Sequence, residues 1–175
     1  MFRADFYHAA MPSKPAKTTS ASIDDPARRR LPILLRRAWY GLNQTFRRRI
    51  AHTGVTPDQF TALRTLTEGG AEGLIQSVLT RRMASDPNTI ASLVERLHLA
   101  GWIVRRPHER DRRAHRLLLT PAGRKKYQQV RRLAVQLQTE VLSVLPPARR
   151  EEFLEALGQI GDYCADASAR PEKNP

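Results

Sequence analysis

Between Asp86 and Pro121 the apolar pattern changes period twice, and that double switch leaves few architectures open. Ile90, Leu93, Val94 and Leu97 recur at helical spacing behind Pro87, a residue suited to a first helical turn, with Ser85 or Asp86 as the cap. Gly101 then supplies the stop that helices favour at their C-terminal end. Trp102-Ile103-Val104 and His115 to Leu119 read as two short apolar strands around the charged loop RRPHERDRRA, which makes a β-hairpin. Thr120-Pro121 restarts a helix, again with a capping residue followed by proline.

The rest of the chain is helical by the same criteria. Leu35, Ala38, Trp39, Leu42, Phe46 and Ile50 form one apolar stripe that Gly54 closes. Thr56-Pro57-Asp58 starts a second helix carrying Phe60, Leu63 and Leu66 and ending before Gly69-Gly70. Leu74, Val78, Leu79 and Met83 predict a short helix from Leu74 to Met83. After the hairpin, Val130, Leu133, Leu137, Val141 and Val144 line a long helix that Pro146-Pro147 breaks. Phe153, Leu154, Leu157, Ile160 and Cys164 line a last one. The order is four helices, a hairpin and two helices. The predicted fold is therefore mainly α with a small β-hairpin, a winged helix-turn-helix with helical arms. Residues 1–30 are expected to form a disordered basic tail, in which Met11 is as good a start as Met1. Residues 53–120 form the winged domain, and residues 31–52 and 121–168 the helical region.

Charge narrows the function. Thirty Lys and Arg against 17 Asp and Glu give a net charge of +13, which opposes compaction and calls for a polyanionic partner. A membrane partner is disfavoured, because no run approaches the roughly 18–20 apolar residues of a spanning helix and the N-terminus lacks a signal-like apolar core. The single cysteine, Cys164, excludes an intrachain disulfide or a cysteine zinc site, so a cytoplasmic location is the default. There is no Gly-rich phosphate loop, no HExxH and no nucleophile elbow, so neither an enzyme nor a cofactor is expected.

The candidate nucleic-acid residues lie around the period switch. Asn88, Thr89, Ser92 and Arg96 project away from the apolar side of the 86–100 helix. Short polar side chains near a helix start reach base edges, with Asn suited to adenine and Thr to a thymine methyl. Taken alone, the helix reads equally well as an ordinary capped surface helix. The hairpin tips the balance. Residues 104–116 hold six arginines, Arg105, Arg106, Arg110, Arg112, Arg113 and Arg116, against only Glu109 and Asp111. A hairpin tip fits the minor groove, whose potential attracts arginine, and Asp111 can orient Arg113 through a carboxylate pair.

The stretch SDPNTIASLVERLHLAGWIVRRPHERDRRAHRLLLTPAG resembles the recognition helix and wing of the MarR family of bacterial regulators. The matching parts are LVERLHLAGWIVR, the Asp-x-Arg of Asp111 and Arg113, and the LLLTPAG exit into a long helix. The resemblance implies a homodimer with interlocked terminal helices. It also implies recognition helices in successive major grooves of a pseudo-palindromic double-stranded DNA operator, and wing arginines in the flanking minor grooves. Carried over by position, Asn88, Thr89 and Ser92 read bases, and Arg112 and Arg113 probe the groove. The implied function is sequence-specific transcriptional repression modulated by a small, often aromatic, ligand. Trp39, Tyr40 and His52 are candidates to line its pocket, or equally to serve as core or interface. Cys164 is expected to be packed rather than reactive. His108, Glu109, Asp111 and His115 lack helical ligand spacing, so a surface turn is favoured over a metal site. The competing reading is a non-specific or architectural nucleic-acid binder, which the charge alone supports equally well.

Overall fold

The computed structural model describes residues 30–108 and 114–169. The chain divides into two compact units, Met1–Trp39 and Tyr40–Pro175. The described part of the first unit is the start of helix α1 (Leu31–Ile50), on which Leu31, Ile33, Leu34, Leu35 and Trp39 are all exposed.

In the second unit α1 runs through Ile50 into a 3₁₀ turn, Ala51–Thr53, which Gly54 ends at φ +71°. Helix α2 (Pro57–Glu68) follows with a full capping box. The Gln59 N–H donates to the Thr56 hydroxyl at 3.2 Å, and the Thr56 N–H donates to Gln59 Oε1 at 2.9 Å. The remaining elements are strand β1 (Leu74–Ile75), helix α3 (Gln76–Arg82), helix α4 (Pro87–Leu99), strand β2 (Ile103–Pro107), strand β3 (His115–Leu119), helix α5 (Pro121–Leu142) and helix α6 (Arg150–Ala169). A 3₁₀ turn at Pro147–Arg149 joins the last two helices.

One expectation is corrected here. Leu74 and Ile75 do not start a helix; they form β1, which adds to β3 through Leu74↔Leu117 and Ile75↔Arg116. The sheet is three-stranded and antiparallel, in the order β1-β3-β2, rather than a bare hairpin. Gly73 explains the difference. It sits at φ +68°, and a Cβ there would lie 2.5 Å from the Leu117 carbonyl oxygen, so glycine lets the chain come against β3 before α3 begins. Apolar spacing does not reveal this, because Leu74 is buried in either conformation.

Two adjoining clusters make the core. The larger joins α2, α3 and α4 to the sheet through Leu63, Leu79, Ile90, Leu93, Leu97, Ile103 and Leu117, each nearly or fully buried. The smaller comprises Ile50, Val55, Phe60 and Val130. Trp102 and Tyr127 pack against both. Helix α5 starts on this seam: the Thr120 N–H donates to the Trp102 carbonyl at 3.0 Å, and the Thr120 hydroxyl to the Gly101 carbonyl at 2.7 Å.

Candidate nucleic-acid interface

Helix α4 is set by its cap and its buried side. Asp86, not Ser85, is the N-cap, and its carboxylate accepts the Thr89 N–H at 2.8 Å. Ile90, Leu93, Val94 and Leu97 lock the opposite side into the larger cluster. Asn88, Thr89, Ser92 and Arg96 are therefore left exposed, and the structure brings these four predicted residues onto one helix. Two of them have local engagements that spacing did not show. The Thr89 side chain also hydrogen-bonds Asp86, and this bond is the main reason the Asp86 carboxyl is held below its ordinary pKa, with the backbone N–H bond next. Arg96 Nε donates back to the Ser92 carbonyl at 3.3 Å, laying the side chain along the helix.

The turn into α4 is tight. Ala84 takes a left-handed conformation at φ 46°, which is costly for a residue with a Cβ. It lets the Ser85 N–H reach the Thr80 carbonyl at 3.2 Å and brings α4 across α3.

The wing begins where α4 ends, at Gly101 with φ +71°. Its base is anchored to α4 by an ion pair that sequence reading missed, Arg105 Nη2 to Glu95 Oε2 at 2.7 Å. Arg105 had been counted only as part of a basic loop; the pairing depends on the register of β2 beside α4, which ten residues of separation conceal. On the strands, Arg106 and Arg116 are directly opposite each other, which gathers positive charge at the wing root. Arg116 also donates to the Glu72 carbonyl at 3.3 Å. The His108 N–H donates to the Ala114 carbonyl at 3.1 Å across the ends of the strands. The predicted wing-tip residues Arg110, Asp111, Arg112 and Arg113, with Glu109, lie outside the described residues. Among the described residues no cluster of His, Cys, Asp and Glu suits a metal ion.

Away from this face is an apolar cavity of about 310 Å³. Leu42 and Phe46 of α1, Phe60 and Thr61 of α2, and Ala134 and Leu137 of α5 form much of its wall. Phe153, Leu154 and Leu157 of α6 complete it. Phe46 meets Phe60 edge-on at 5.3 Å, and Phe60 stacks on Tyr127 at 5.8 Å. The expected pocket residues Trp39, Tyr40 and His52 are not among the lining residues, and all three are exposed. Cys164 is exposed as well, contrary to the expected packing, because α6 keeps only a few side chains half-buried.

Comparison with known proteins agrees with this geometry. The regulator BilQ of Clostridium symbiosum (strain WAL-14163), described as an HTH-type transcriptional regulator, is 31% identical over 93 residues. That match takes in 53% of this chain and 65% of BilQ, just short of two thirds of its length. Among solved structures, BpsR of Bordetella bronchiseptica, whose DNA binding is regulated by 6-hydroxynicotinic acid, is 26% identical with a TM-score of 0.70, over 76% of this chain and 94% of that one. The repressor CouR of Rhodococcus jostii RHA1, bound to a 23-mer DNA duplex, is 26% identical with a TM-score of 0.68, over 75% and 92% of the two chains. The sequence profile of the MarR family matches residues 53–114, from the turn before α2 to the start of β3. Residues 53–114 thus match the MarR family, and the fold of the chain is the winged helix-turn-helix shared with the BpsR and CouR structures.

Proposed function

We propose that this chain is a sequence-specific DNA-binding transcriptional regulator that acts as a homodimeric repressor on a pseudo-palindromic operator and is modulated by a small apolar or aromatic ligand. The observation that carries the reading is the exposed set Asn88, Thr89, Ser92 and Arg96 on α4, whose short polar side chains suit a major groove, beside a wing root that carries Arg105, Arg106 and Arg116. In this reading Asn88, Thr89 and Ser92 contact bases, while Arg110, Arg112 and Arg113 enter the minor groove with Asp111 as their partner. The apolar cavity between α1, α2, α5 and α6 is the ligand site. Homodimerisation is supported by Leu34, Leu35, Phe153 and Leu157, which leave more apolar surface on the arms than one chain covers.

The test is a fluorescence titration with the chain's own upstream DNA and with random duplex at several salt concentrations. Specific binding should exceed random binding by at least about 10³ at physiological salt. Equal affinity for both, with a steep salt slope, would select the non-specific binder that the net charge of +13 also suits. Arg113→Ala should weaken binding; unchanged affinity would remove the wing assignment.

A further inference from the structure

Resting on the reading of the apolar cavity as a ligand site, we infer that this site selects uncharged ligands and that the Arg49–Glu140 pair sets this selectivity. Among the described residues, none that lines the cavity is charged. The polar ones are Thr61, whose hydroxyl already donates to the Pro57 carbonyl at 3.0 Å, and Gln138, an amide that offers direction but no charge. A carboxylate or sulfonate entering such a cavity loses its hydration without a counter-charge, which is strongly unfavourable.

The cation best placed to change this is Arg49. It follows Phe46 by three residues on α1, so the two side chains share a helix face. Its guanidinium, however, is committed: Nη1 and Nη2 donate to the two carboxylate oxygens of Glu140 at 2.8 and 2.7 Å. This fork-to-fork geometry is the strong form of the pair. It holds the Glu140 carboxyl below its ordinary pKa, first through the hydrogen bonds, so Glu140 remains charged and keeps Arg49 occupied. At about 310 Å³ the space is at the small end of the roughly 300–1,000 Å³ of ligand pockets, which suits two or three fused or linked rings.

Two dyes with one ring system separate charge from shape: neutral N-phenyl-1-naphthylamine and anionic 8-anilinonaphthalene-1-sulfonate. Each is titrated into the full chain by fluorescence, and binding at the cavity is the part lost in Val141→Trp and in Leu157→Trp, two fillings made from exposed positions, with helicity checked by circular dichroism. The neutral dye should bind the cavity at least about tenfold more tightly than the sulfonate. Glu140→Gln, which frees Arg49, should tighten the sulfonate several-fold and leave the neutral dye unchanged. A sulfonate that binds the cavity as well as the neutral dye, or a preference that Glu140→Gln does not narrow, would overturn the inference. Dye binding indifferent to both tryptophan fillings would instead overturn the ligand-site reading itself.

Discussion

Asp86 does two things at one helix end. It satisfies an N–H that α4 would otherwise leave open, and it holds the Thr89 side chain on the exposed side of the helix. Its carboxyl pKa is depressed in the folded chain, so its contribution to stability is fully present above the unfolded Asp value and is lost as pH falls through the lower folded value. Urea denaturation of the native chain and Asp86→Asn should therefore show a stability difference at neutral pH that shrinks in acid; a difference that grew in acid would contradict the cap. Thr89 is where sequence reading saw half of the picture. Its exposed position on α4 follows from spacing, but its bond to the cap depends on which of Ser85 and Asp86 occupies the N-cap. Gly123 shows a second single-residue constraint. A Cβ there would fall 2.0 Å from the Trp102 carbonyl oxygen and 2.9 Å from its carbon, both backbone atoms that cannot swing aside. Gly123→Ala should cost about 1–3 kcal/mol by thermal melting, whereas the same change in an open helix interior stabilises by roughly 0.5–1 kcal/mol. Nothing in the motif Thr-Pro-Ala-Gly reveals that approach, since the clash is with the backbone of Trp102, in the bend before β2.

At the scale of elements, the proposed DNA face is a helix and a wing that must keep one angle. The ion pair from Glu95 to Arg105 spans them at 2.7 Å, with both side chains substantially exposed. Exposed pairs contribute only about 0–1 kcal/mol to stability. Glu95→Ala should accordingly leave the melting temperature nearly unchanged while specific DNA affinity falls several-fold, because α4 and β2 lose a fixed reference. A large loss of stability with unchanged affinity would make the pair merely structural. The elements themselves were largely legible, since α2, α4 and α5 each announce a cap, a proline in the first turn and an apolar stripe. What was not legible depends on contacts remote in sequence. Strand β1 is two residues long and exists only through pairing with β3. The cavity wall draws on four helices, so no local pattern marks Phe60 or Leu154 as lining residues. Trp39 and Tyr40, suited to a pocket by chemistry, stand exposed on α1 of the single chain.

For the whole molecule the decisive property is how much apolar surface the arms leave uncovered. Leu31, Ile33, Leu34, Leu35, Phe153 and Leu157 are all more than a third exposed, on helices with polar remainders. If a second copy covers them, the melting temperature should rise with protein concentration, as required when folding and assembly are linked. Leu34→Glu with Leu35→Glu should then give a monomer by analytical ultracentrifugation and abolish specific DNA binding, while the winged core keeps its helicity. A concentration-independent melting temperature in the native chain would count against the dimer. The two tryptophans extend this to light emission. Trp39 is 65% exposed, whereas Trp102 is half-buried at the seam of the two core clusters, with Lys126 Nζ 5.8 Å above its ring. Trp102 should thus fluoresce at the shorter wavelength, and a Trp39→Phe chain becomes a single-colour reporter of the wing root. Trp102→Phe leaves the opposite reporter, in which iodide quenching of Trp39 follows whatever comes to cover the first helix.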